Sequence, residues 1–231
     1  MMQATIDVYQ DRIREIELYY KALQELYDNQ SLSDERFTFY SDDFLKILKS
    51  NALIMVYNLV ESSIMGGILE IYDEVKTRGL SYNAVRNEIK DIWFSFMFNQ
   101  VYDKQAHHNS YRNKATEIIN SILNGETLIL DRKATDISGN LDAEKIRRIC
   151  EDHGITFTVS TECKGGIVLT DVKNKRNELA HGTTSFVECG RDYTIDDLIK
   201  IKDQTVLFLA GILNGMKTYY DEQRFLYASN S

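Results

Sequence analysis

Proline is absent from all 231 residues. It is the residue that breaks helix interiors, by removing an amide donor and clashing with the preceding turn. Without it helices can run long, which favours an all-α bundle over a chain of turns and short strands. Cysteine is scarce: Cys150, Cys163 and Cys189 are widely spaced and form neither a metal-ligand pattern nor an even disulfide set. No metal and no cofactor are therefore expected, and a reducing cytoplasm is the compartment this usage suggests. The opening stretch MMQATIDVYQDRIRE is charged early and lacks an apolar core, so no signal peptide is expected there. No unbroken apolar run approaches the length of about eighteen that spans a bilayer, and no membrane partner is expected. Positive charge is also short, with 27 Lys and Arg against 35 Asp and Glu and a net charge of −8. A field of that sign opposes nonspecific adhesion to nucleic acid, so any RNA contact must come from a local basic patch.

What the chain does have is helical periodicity. Hydrophobic residues make up 43% of it, enough for one sizeable core, and one domain with an insertion at about 126–165 is expected. Ile6, Tyr9, Ile13, Ile16, Tyr20, Leu23 and Tyr27 recur at threes and fours, predicting a helix over about 3–28. A polar connection, Asp28 to Phe39, follows. Ser41 is read as the N-cap of a second helix reaching Lys76, with Asp42 and Asp43 in its first turn. From Leu45 to Ile71 this helix is apolar on more than one face and belongs at the bundle centre. Gly66-Gly67 reads as a close-packing point, because no strand precedes it to make a phosphate loop. The polar cluster Asn58 to Ser63 is either a hydrogen-bonded strip between helices or the means of aiming Glu61 at a site.

Ser81 is read as the cap of a third helix whose Val85, Ile89, Ile92, Trp93 and Phe96 form a core stripe. His107-His108 falls in a polar connection and lacks a third ligand, whereas Lys104, Arg112 and Lys114 nearby are candidates for a basic patch. A fourth helix over about 110–124 should end at Gly125. The insertion then places a short helix between two pieces of strand-like composition, Thr127 to Leu130 and Ile155 to Val159, each read as either strand or loop. Lys145, Arg147 and Arg148 lie within one turn of that helix, either as a solvated face or as an RNA-binding surface.

The stretch DVKNKRNELAHG, Asp171 to Gly182, carries the chemistry. On a helix of about 100° per residue Asn177 and His181 share a face, and Arg176 lies on its shoulder. A histidine moves protons near neutral pH and a guanidinium holds phosphate, the combination that suits RNA cleavage. Spacing alone does not decide this, since Arg148 and His153 repeat it where RICEDH closes a helix at Gly154. The motif helix should start near Gly166 to Ile167 and stop at Gly182, followed by a loop over Thr183 to Tyr193. Thr194 to Asp197 has the form of a capping box for a last helix, whose Leu198, Ile201, Thr205, Leu209, Ile212, Met216 and Tyr219 face a core or a dimer surface.

Context carries a resemblance. KRNELAHG followed by SFVECGRDYTIDDLIKI, with YNLVESSI and ISGNLDAEKIRRICEDHGI upstream, resembles the HEPN superfamily and, within it, the MAE-like branch found beside bacterial defence genes. The likeness runs over about 40–225. It implies an all-α HEPN-type bundle, homodimerisation across the motif helix and, in many members, metal-independent endoribonuclease activity of a toxin or defence effector. On that reading His181 moves the proton, Arg176 stabilises the phosphorane, Asn177 positions a phosphate oxygen and Glu61 orients Arg176 or His181. Lys173 and Lys175, with Lys145, Arg147 and Arg148, would bind RNA. The implied partners are RNA, a second copy of the chain, and an antitoxin or neighbouring defence protein. The alternative is a noncatalytic HEPN binding module that serves as antitoxin partner, nucleotide sensor or scaffold.

Overall fold

The computed structural model describes residues 2–30, 42–100, 108–135, 137 and 139–227. Ser41, Lys104 and His107 lie outside the described residues, as does most of the connection after the first helix. The described elements are α1 (Gln3–Gln30), α2 (Asp42–Thr77), α3 (Asn87–Asn99), α4 (His108–Leu123), α5 (Ala143–Asp152), α6 (Val168–His181), α7 (Phe186–Arg191) and α8 (Ile195–Asp221), joined in places by 3-10 turns. Among the described residues there is no sheet, only isolated bridges at Ser81–Thr127 and Val85–Leu226. The all-α expectation holds.

The 36 residues of α2 form a rod of about 54 Å. Leu53, Val56, Tyr57, Leu59, Val60, Ile64, Ile68 and Ile71 are buried all round it, because α1, α6, α7 and α8 each pack against it. By mean hydropathy α2 also holds an eighteen-residue window, at 1.6, long and apolar enough to cross a membrane. A search for unbroken apolar runs passes over this window. Its burial, 61% inside the bundle, is that of a core helix. Gly67 is the close-packing point expected: a Cβ there would stand 2.5 Å from the Met216 sulfur of α8. The apolar stripe of α8 faces the core, with Leu198, Thr205, Leu209, Ile212, Met216 and Tyr219 all buried.

Two local expectations are corrected, and the choice between strand and loop in the insertion falls to loop. Ser81 opens only a 3-10 turn, Tyr82–Ala84, without a side-chain cap bond, and α3 begins at Asn87 behind Arg86. The intervening backbone is taken by bridges: Arg86 N donates to Phe225 O at 3.0 Å and Tyr227 N to Ala84 O at 2.9 Å, so it is extended and cannot enter a helix. The strand-like pieces of the insertion form no strands. Thr158 O would lie 2.4 Å from a Cβ on Gly211, so 155–159 packs on α8 rather than beside another extended segment. β-like composition marks residues that pack well on a half-buried surface, and here a helix supplies that surface. Finally, the loop expected over Thr183 to Tyr193 contains α7, whose start is fixed by reciprocal bonds between Ser185 and Glu188. The Thr194–Asp197 capping box forms as read.

His153 ends α5 as expected and is itself 3% exposed. Its Nδ1 lies 2.7 Å from Ile149 O, and a carbonyl can only accept, so Nδ1 carries the proton. Nε2 then accepts from the Tyr72 hydroxyl at 2.7 Å. Burial holds the imidazole pKa below its ordinary value, outweighing the backbone bond to Ile149. The unfolded chain takes up this proton as pH falls through about 6.5, while the folded chain resists it to lower pH. Stability contributed by neutral His153 is thus present above that pH and lost on acidification below it. In urea unfolding at stepped pH, the difference between the native chain and His153→Asn should shrink from pH 7.5 to pH 5.5; a constant difference would contradict a buried neutral imidazole.

Candidate functional site

α6 buries Leu169, Val172 and Leu179 and ends where Gly182 turns left-handed at φ 69°, its amide bonded to Glu178 O and Leu179 O. At about 100° per residue Arg176 falls within the buried face, whereas His181 lies about 140° further round, toward solvent. The structure agrees with that wheel. The Arg176 guanidinium lies 4.7 Å from the centre of the Tyr57 ring on α2 and 3.8 Å from the Glu61 carboxylate. Its Nη1 donates to Gly139 O at 3.0 Å and to Asn177 Oδ1 at 2.9 Å. Glu61 therefore faces Arg176, one of the two roles weighed for it. His181 is exposed and has no hydrogen-bond or ionic partner among the described residues. Within one chain Asn177 and His181 stay on neighbouring outward positions, and Arg176 turns inward, away from His181, while still donating to Asn177.

Four consecutive residues of the insertion clasp α6 and the central rod, three of them on α6 and one on Tyr57 of α2. Gly139 gives its carbonyl to Arg176; Asn140 Oδ1 accepts from Asn177 Nδ2 at 2.6 Å; Leu141 N donates to the Tyr57 hydroxyl at 3.2 Å; Asp142 Oδ2 pairs with Lys173 at 2.6 Å. Gly139 is needed for this, because its φ is 65° and a Cβ would stand 3.2 Å from Arg176 Nη1. Asp142 also caps α5, accepting from Lys145 N. Burial pushes its carboxyl pKa up, but the Lys145 amide and the Lys173 ammonium outweigh this and hold it below the usual range.

The basic residues read as RNA-binding are mostly engaged by the fold. Lys173 is held by Asp142, and Lys175 by Glu178 at 3.2 Å and Asp192 at 3.8 Å. Arg147 donates to Gly165 O at 2.8 Å and lies over the Phe208 ring, tying α5 to α8; Arg148 pairs with Glu144 at 3.1 Å. Lys145 has interactions of its own. Lys114, read as part of a basic patch, is 8% exposed and bonded to Glu117, while Arg112 is exposed. Positive charge gathers elsewhere, in a cleft of about 460 Å3 where Arg12 of α1 and Arg132 of the insertion meet Glu61 and Arg176. Neither arginine was singled out from the sequence, since nothing local marks them. All three cysteines are buried free thiols, and burial pushes Cys150 up to about 12. Among the described residues no cluster of three His, Cys, Asp or Glu side chains could hold a metal ion.

An all-α bundle carrying R-N-x-x-x-H on a helix clasped to the central rod defines a HEPN-type domain. The sequence profile of the HEPN_MAE_28990-like HEPN family matches residues 2–225, and the chain belongs to that family, in the MAE-like branch. No curated protein and no solved structure matches the chain.

Proposed function

We propose that this HEPN domain is a metal-independent endoribonuclease acting as a toxin or defence effector. The observation that carries the reading is His181: in a HEPN chain, an exposed imidazole without intramolecular partners stands one turn from Asn177 on the outward face of α6. In the reaction a ribose 2′-oxygen attacks the adjacent phosphorus and the 5′-oxygen leaves. One histidine takes the 2′-hydroxyl proton, a second protonates the leaving oxygen, and Arg176 and Asn177 stabilise charge on the phosphorane. One chain supplies one such histidine, and its Arg176 points away from it. A twofold axis through the outward face of α6 doubles His181 and Asn177 in one cleft, with each Arg176 behind the Asn177 to which it donates, so a homodimer is the active unit of this proposal.

Purified protein incubated with RNA in EDTA should yield fragments with 2′,3′-cyclic phosphate and 5′-hydroxyl ends, and its mass in solution should be that of a dimer. Cleavage abolished by EDTA would overturn the mechanism. A second reading, a noncatalytic module that binds an antitoxin or neighbouring defence protein, is favoured by the inward engagement of Arg176 with Gly139, Tyr57 and Glu61. RNA left intact in every condition, with a stable protein complex, would select it.

A further inference from the structure

The cleft between α1, α2 and the insertion has a charge imbalance that neither the RNA-cleaving face nor the core explains. Arg132 and Arg176 both face Glu61, and Arg12 lines the same cleft with Asn58 and Ser62 of α2. Guanidinium groups stay charged at any working pH, so three of them against one carboxylate leave about two positive charges in one concavity. In a chain of net charge −8 such a concentration has to be built. The ion pairs do not use it up: Arg132 and Arg176 nitrogens stand 3.6 and 3.8 Å from Glu61, beyond the roughly 2.7–2.9 Å of a charge-assisted hydrogen bond. Arg12 has no ion pair among the described residues. Arg176 spends Nη1 on Gly139 and Asn177 and leaves Nη2 toward the cleft. Glu61 offsets the mutual repulsion of the three cations, and the remaining donors form an open fork array.

The geometry points to this cleft as a binding site for a terminal phosphate monoester. About two uncompensated positive charges match a phosphomonoester, which carries about −1.5 to −2 near pH 7, whereas an internal phosphodiester carries one negative charge. Forked guanidinium donors suit phosphate oxygens, with the Asn58 amide and Ser62 hydroxyl as neutral donors at the edge. At about 460 Å3 the cleft also has room for more than the phosphoryl group. The site shares Arg176 and Glu61 with the nuclease reading, and the test is therefore placed on Arg12 and Arg132, which lie outside the motif.

The test is titration calorimetry with a 2′-O-methyl oligonucleotide, which has no 2′-hydroxyl to attack, bearing either a 5′-phosphate or a 5′-hydroxyl. Loss of cleavage therefore cannot be mistaken for loss of binding. The phosphorylated form should bind about tenfold or more tightly than the hydroxyl form, and Arg12→Ala and Arg132→Ala should each remove about tenfold. Glu61→Gln, which subtracts the one negative charge, should tighten binding, the reverse of what damage to the fold would do. Adenosine 5′-monophosphate as competitor separates the two sources of the phosphate. Equal affinity for it marks a free nucleotide as the ligand, and tighter oligonucleotide binding marks an RNA end. Equal affinity for the two oligonucleotides, or affinities indifferent to Arg12 and Arg132 in variants whose melting is unchanged, would overturn the proposal.

Discussion

His181→Ala should lower RNA cleavage by about 10²–10⁴-fold, the usual contribution of a positioned proton carrier. Its unfolding free energy should stay within about 0.5 kcal/mol of the native chain, because the imidazole is exposed and touches no partner that its loss would strand. Arg176→Ala should behave differently, losing both activity and about 1–3 kcal/mol, since it removes the bond to Gly139 O and the cover over Tyr57 and leaves a partly buried Glu61 without one of its cations. Mixing the two variants discriminates further. A composite site regains part of its cleavage, because each mixed dimer holds one His181 and one Arg176 where each parent dimer lacks one of them entirely, although a single histidine must then serve both proton transfers. Two inactive preparations that stay inactive when mixed, or a fully active monomer, would refute the twofold site. Urea unfolding beside single-turnover cleavage separates all of these outcomes.

Gly190→Ala should be the most damaging small substitution in the chain, at about 3 kcal/mol or more. α7 lies so close to α2 that a Cβ on Gly190 would stand 1.9 Å from Lys46 O and 2.6 Å from Lys46 C. Both obstacles are backbone of the central rod, so no rotamer change relieves them. The methyl can be fitted only by lifting α7, which strains the 2.6 Å bond from Ser50 Oγ to Phe186 O. Gly182→Ala is the control: it meets nothing within 4 Å and carries only the cost of its left-handed φ of 69°, about 1–2 kcal/mol. If Gly190→Ala cost no more than Gly182→Ala in urea midpoints, the close seating of α7 on α2 would be wrong.

Much of the bundle was legible because its signals are local. The apolar stripes of α1 and α8, the all-round burial of α2, the glycine stop of α6 and the Thr194 cap all follow from residues within a turn or two of one another. α7 was equally legible, since Ser185 and Glu188 have the capping-box spacing, but a six-residue helix is easily read as loop. The inward direction of Arg176 also follows from the wheel of α6, once it is set against Leu169, Val172 and Leu179 rather than against His181. Other features lay beyond any local reading. Gly139 and Asn140 reach residues 37 positions away, and Arg12 and Arg132 meet only because α1 and the insertion are laid against the same side of α2. Such meetings depend on how elements are stacked, which periodicity does not encode.

The clasp formed by residues 139–142 bears on how this chain tolerates inherited variation. Two of its four ties use main-chain atoms, Gly139 O on Arg176 and Leu141 N on Tyr57, and two use side chains, Asn140 on Asn177 and Asp142 on Lys173. A main-chain carbonyl is present whatever residue the gene specifies, and a main-chain N–H whatever residue but proline. Drift at position 140 can therefore cost one contact, and at 142 the Lys173 pair together with the α5 cap, while the anchors of Arg176 and Tyr57 persist. Position 139 is the exception, because its left-handed backbone rather than any side chain aims the carbonyl, and there the tolerated alphabet narrows to glycine.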